Sequence, residues 1–123
     1  MAYDEALASR IRELLRDRRD VTERKMFGGL AFLVSGRMCC GIVGRDLMVR
    51  VGREDYESAL SEKHARPMDF TGRPMRGMVY IAPAGLRTKR ALEAWIDRGV
   101  RFTRSLENAR PARKAGRRKA RSR

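Results

Sequence analysis

A chain of 123 residues with 42% hydrophobic content supports one domain with one core, and is too short for two. Its formal charge of +14 comes from 29 Lys and Arg against 15 Asp and Glu, and no stretch approaches the ~20 apolar residues that span a bilayer. The charged start MAYDEALASRIRELLRDRRD excludes a secretory h-region, so a cytoplasmic protein with reduced thiols is expected.

From Tyr3 to about Arg18, apolar residues recur at Tyr3, Leu7, Ile11, Leu14 and Leu15, which predicts an amphipathic packing helix. Three strands follow, LAFLVS, RMCCGIV and DLMVRV, joined by two-residue turns at Ser35-Gly36 and Gly44-Arg45. If both loops hold two residues, Leu33 faces Met38, Ala31 faces Cys40 and Cys40 faces Val49. One face then reads Ala31, Leu33, Met38, Cys40, Ile42, Leu47, Val49 and Val51, wholly apolar. The other carries Leu30, Phe32, Val34, Arg37, Cys39, Val43, Met48 and Arg50. That face is greasier than a solvated one, so a second helix or another protein is expected to cover it. Phe32, Cys39 and Met48 are the interface candidates.

After Gly52, REDYESALSE predicts a short helix with Tyr56, Ala59 and Leu60 inward. KHARPMDFTGRPMRG is rich in turn residues and carries Arg-Pro-Met twice, too close together for a structural repeat. MVYIA at 78–82 predicts a strand. A last helix from about Thr88, its N-cap, to Leu106 places Leu92, Trp95, Ile96, Gly99, Phe102, Thr103 and Leu106 on one face. The predicted fold is therefore α+β: an antiparallel sheet of four or more strands carrying an N-terminal helix, a short middle helix and a long C-terminal helix. Residues 1–108 form the domain. Residues 109–123, ARPARKAGRRKARSR, have too few apolar groups to offset ordering entropy and are expected to be a disordered tail.

Little in the domain predicts chemistry. Gly28-Gly29 runs into a strand, so no helix N-terminus follows to receive a phosphate, and a bulge or close backbone approach is expected instead. Successive strand residues point to opposite faces, so Cys39 and Cys40 are not expected to share a metal, and vicinal cysteines rarely form an unstrained disulfide. The single histidine, His64, rules out most His-based metal sites and triads within one chain, and no serine has a His/Asp arrangement beside it. No catalytic residue, metal or cofactor is predicted.

Charge carries the remaining signal. The tail holds eight cations (Arg110, Arg113, Lys114, Arg117, Arg118, Lys119, Arg121 and Arg123) and no acid, leaving about +6 for the domain. Such an arm is expected to bind nucleic acid through phosphates and counterion release, without sequence specificity; the alternative is a tail that only solubilises. Arg66, Arg73 and Arg76 on the Pro/Gly loop are a candidate anion site, unless one of them pairs with Asp69. Aromatics are not interleaved with basic residues on a strand, which argues against a stacking RNA platform.

RKMFGGLAFLVSGRMCCGI, DLMVRVGREDYESAL and above all ARPMDFTGRPMRGMVYI resemble the N-terminal domain of the TfoX/Sxy family. The likeness covers about residues 5–107. It implies an antiparallel sheet flanked by N-terminal, middle and C-terminal helices, and a non-enzymatic role related to regulators of natural competence. The family offers no catalytic residues to map here. The expectation is a regulatory binding module with protein contacts through the mixed sheet face and nucleic-acid affinity through the tail. The alternatives are a protein-only adaptor or homodimer and, less favoured, an enzyme with a pocket near the Arg66–Arg76 loop.

Overall fold

Asp4 starts the first helix, its Oδ1 accepting the N–H groups of Ala6 at 2.9 Å and Leu7 at 3.2 Å. Helix α1 (Glu5–Leu15) buries Leu7, Ala8, Ile11 and Leu15, the stripe expected from its periodicity. The computed structural model describes residues 3–26, 28–68 and 76–109. Six strands follow in an antiparallel sheet: β1 (Val21–Met26), β2 (Gly29–Val34), β3 (Arg37–Val43), β4 (Asp46–Arg50), β5 (Ala65–Pro67) and β6 (Met78–Ile81). Their spatial order is β1-β2-β3-β4-β6-β5. Helix α2 (Arg53–Leu60) follows β4, and a 3₁₀ turn (Pro83–Leu86) leads into helix α3 (Lys89–Ala109). The expected α+β architecture is present, with two more strands than the sequence pattern marks.

The first addition is β1, whose sequence VTERKM exposes Thr22 through Lys25. An edge strand with no buried face leaves no alternation to read. It pairs along its full length with β2, and Arg12 of α1 grips Glu23 with two hydrogen bonds of 2.7 and 2.9 Å. Gly29 begins β2 because a Cβ there would lie 2.0 Å from the carbonyl oxygen of Ile42. That is the close backbone approach expected of the glycine pair.

The first hairpin turns at Ser35 (φ 53°) and Gly36 (φ 80°), and Val34 pairs with Arg37 and Leu33 with Met38 as the two-residue loop requires. The register then shifts. Phe32 pairs with Cys40 and Ala31 with Gly41, leaving Cys39 as an extra residue in β3. This β-bulge corrects the expected Ala31–Cys40 pair and exchanges the two faces of β2. Leu30, Phe32 and Val34 enter the main core, not Ala31, Leu33 and Met38. Cys39 and Cys40 both enter that core, which overturns the expectation that they face opposite sides. Beyond the bulge the predicted β3–β4 register holds, with Cys40 opposite Val49 and Ile42 opposite Leu47.

The main core joins these residues to Leu7, Ile11 and Leu15 of α1, Tyr56 and Ala59 of α2, and Leu92, Trp95 and Ile96 of α3. Helix α3 lies over β3 and β4. Thr88 caps it, its Oγ1 accepting the N–H of Ala91 at 3.0 Å, and buried Thr103 donates to the Val100 carbonyl at 2.8 Å. A smaller cluster on the other side of the sheet contains Met48, Met68, Met78 and Tyr80. No helix among the described residues is long and apolar enough to cross a membrane.

Candidate functional site

The three interface candidates are core residues. Phe32 and Cys39 are unexposed and Met48 is 1% exposed. The chain itself covers the face on which the first two lie. At Gly99 of α3 an added Cβ would stand 2.7 Å from the Cys39 carbonyl oxygen and 2.9 Å from its Sγ, so the helix backbone seats directly on the bulge. Met48 belongs instead to the methionine cluster of the opposite face.

The same contact defines the chemistry of the cysteine pair. Both thiols are free and buried. A hydrogen bond with Cys39, reinforced by burial, holds the Cys40 thiol well above the ordinary thiol range. A thiol held in its protonated form is a poor nucleophile and a poor metal ligand. Among the described residues no group of three or more His, Cys, Asp and Glu is arranged to hold a metal ion.

The arginine loop is not gathered into one anion site by the described residues. Arg66 donates to Asp46 at 2.7 Å and its guanidinium lies 4.9 Å from the centroid of the Tyr80 ring. It sits across from Tyr80 near the end of β6, whereas exposed Arg76 precedes the start of that strand. Arg73 and Asp69 lie outside the described residues, as do all eight tail cations from Arg110 to Arg123.

A different basic site forms where α2 begins and α3 ends. Gly52 (φ 88°) lies beneath the Phe102 ring, where a Cβ would come within 2.4 Å of a ring carbon. The Gly77 carbonyl accepts the N–H groups of Val51 and Gly52 at 2.8 and 3.0 Å, tying the Arg76-Gly77 turn to the start of α2. Arg50 extends over the Phe102 ring at 5.2 Å. Beside these residues runs a groove of about 580 Å³ lined by Arg53, Glu54, Asp55, Arg98, Arg101 and Ser105 as well as Gly52 and Phe102. Arg98 is held in place by Glu62 at 3.1 Å and by the Trp95 ring at 4.9 Å.

The arginines near α1 are arranged differently. Arg12 pairs with Glu23, Arg16 with Glu13 and Arg18 with Asp20, so charge there is matched locally. Arg53, Arg101 and Arg104 are exposed, and Arg53 and Arg101 have no carboxylate partner among the described residues. Sequence reading passed over this groove because its arginines come from two helices far apart in the chain, Arg53 from α2 and Arg98 and Arg101 from α3. The one local signal was the i, i+3, i+6 spacing of Arg98, Arg101 and Arg104, which places them in a row along α3.

A second depression, of about 400 Å³, lies between the end of α2 and the start of α3, with Lys63, His64, Arg87 and Trp95 among its lining residues. His64 is exposed and in the left-handed region (φ 74°), and its carbonyl accepts the Ala82 N–H at 2.9 Å. It shapes a turn and has no acid–base partner among the described residues.

In comparison with known families, the model of the TfoX N-terminal domain aligns with residues 13–103. The aligned span runs from the later part of α1 through all six strands to Thr103 of α3, and stops short of Arg104 and the basic tail. No curated protein and no solved structure matches the chain.

Proposed function

The chain belongs to the TfoX N-terminal domain family, and from that premise we propose a competence-related regulatory module that acts in the cytoplasm by binding, with its C-terminal basic run supplying sequence-independent affinity for nucleic acid. The observation that carries this reading is the placement of charge. Helix α3 ends at Ala109, and the next residue opens the acid-free run of eight cations. In sequence that charge follows directly on a helix that packs on the sheet. Eight cations without a neighbouring acid suit a phosphate backbone, where each neutralised phosphate releases counterions.

Burial of both thiols, with Cys40 held protonated, supports binding over catalysis. Burial of Phe32, Cys39 and Met48 removes them as a protein-binding surface, so no partner contact is assigned to them. The test is binding to a mixed-sequence DNA duplex over a salt series, comparing the full chain with a variant whose eight tail cations are replaced by Gln. The variant is expected to bind more weakly and with a shallower salt dependence. Equal affinity and equal slope would leave the tail a solubilising segment and favour the protein-only adaptor.

A further inference from the structure

We propose that the groove between the start of α2 and the end of α3 is a second nucleic-acid contact, in which Arg53 and Arg101 of its lining, with exposed Arg104 beside it on α3, engage the phosphate backbone next to the segment bound by the tail. This rests on the reading of the tail as a nucleic-acid arm and adds a contact made by the folded domain itself. Three observations converge on it.

The first is charge that the fold leaves unmatched. Arg53 and Arg101 are exposed without a carboxylate partner among the described residues, while Arg12, Arg16 and Arg18 of α1 and its following loop are each paired with an acid. Arg76 adds to the same region, because Gly77 packs against Gly52 and the backbone nitrogen of Arg53. Glu54 and Asp55 line the α2 side of the groove beside Arg53, so the cations of α3 carry the larger part of the contact.

The second is construction. Arg50 lies on the Phe102 ring, Arg98 is clamped between Glu62 and Trp95, and Gly52 leaves room for the Phe102 ring that forms the groove floor. These contacts hold the residues around Arg53 and Arg101, which line the groove. Guanidinium forks suit phosphate oxygens better than a point charge does.

The third is continuity. Arg104 lies five residues before Ala109, about 7.5 Å along the helix axis, so in sequence the arginines of α3 lead directly into the cations that begin at residue 110. A membrane surface is the poorer fit, because Phe102 is half-buried under Arg50 and leaves no apolar wedge beside the arginines.

The experiment uses five full-length proteins: wild type, the eight-Gln tail variant, R53Q/R101Q/R104Q, both sets combined, and R53K/R101K/R104K. Each is titrated against a fluorescent mixed-sequence DNA duplex between about 50 and 200 mM salt, the range in which phosphate contacts separate clearly. The groove variant is expected to lower the slope of log K against log salt by about 0.9 for each cation lost, roughly 2.7 in all. The tail variant should retain a residual slope that the combined variant loses. Replacing the same three arginines by Lys should restore most of the slope, and unchanged circular dichroism would exclude a folding effect. If the tail variant loses its salt dependence while the groove variant matches wild type, the groove proposal falls and the tail reading stands. If neither variant differs from wild type, both fall. Binding to anionic lipid vesicles with none to DNA would also overturn the proposal.

Discussion

Substituting Gly99 by Ala should weaken the protein, although in an isolated helix it would do the reverse. Glycine in a helix interior costs about 1 kcal/mol relative to alanine, so a version of α3 free of contacts would gain that amount. Here the new Cβ would stand 2.7 Å from the Cys39 carbonyl oxygen and 2.9 Å from its Sγ. The sulfur can shift a little, but the oxygen belongs to the backbone of a bulge wedged between β2 and α3. Helix and strand must therefore separate by several tenths of an ångström, and overpacking of this kind costs about 1–3 kcal/mol. Setting the gain against a mid-range penalty leaves a net loss of about 1 kcal/mol, or roughly 4 °C in melting temperature for a domain of this size. Trp95, the only tryptophan, lies one turn away and is 8% exposed, so its fluorescence in a urea titration reports the transition directly. Gly99→Val should lose more. A Gly99→Ala protein more stable than wild type by the full helix-propensity gain would refute the seating of α3 on the Cys39 bulge.

Other consequences follow from the same contacts. Cys39 and Cys40 should resist a thiol reagent in the native protein and react on addition of urea; prompt labelling of both would contradict their burial. Because the folded state raises the Cys40 thiol above its unfolded value near 9.0, its contribution to stability is complete below that pH and is lost as pH rises toward the folded value, which a urea midpoint series in alkaline buffers should show. At acid pH the sign reverses. Arg12 depresses the Glu23 carboxyl below 4.5, so stability is lost as pH falls through the folded value, and Arg12→Gln should remove that component while costing under about 1 kcal/mol at neutral pH, as expected for an exposed pair. The first turn of α3 carries Lys89 and Arg90 and no acid, so Arg90→Glu should stabilise by about 0.5 kcal/mol through the helix dipole, measurable by thermal denaturation at low salt.

What could be read from the sequence follows from which elements have a buried face. Helices α1 and α3 were legible because Leu7, Ile11 and Leu15, and Leu92, Trp95 and Ile96, recur at helical spacing against a core. The Ser35-Gly36 and Gly44-Arg45 turns were legible from turn chemistry, and β6 from its short apolar run. Strand β1 was hidden because an edge strand carrying Thr22, Glu23, Arg24 and Lys25 buries neither face, and β5 because three residues ending in Pro67 offer no pattern. The bulge at Cys39 was the costly omission. One extra residue reverses the parity of everything before it in the hairpin, and nothing in RMCCGIV distinguishes a bulged strand from a straight one. That single shift turned Phe32 and Cys39 from a proposed surface into core. The basic groove escaped for another reason: Arg53 and Arg101 are far apart in sequence and line one groove only because Gly52 lets the Phe102 ring of α3 pack against the start of α2.

Composition alone marked the tail, and helix α3 runs to Ala109, the residue before its first cation. The most direct test of the account is therefore the salt dependence of duplex DNA binding by the full chain and by its eight-Gln tail variant. The account predicts a steep dependence for wild type, reduced by about 0.9 for each tail cation that contacts a phosphate. Identical slopes for the two proteins would contradict it.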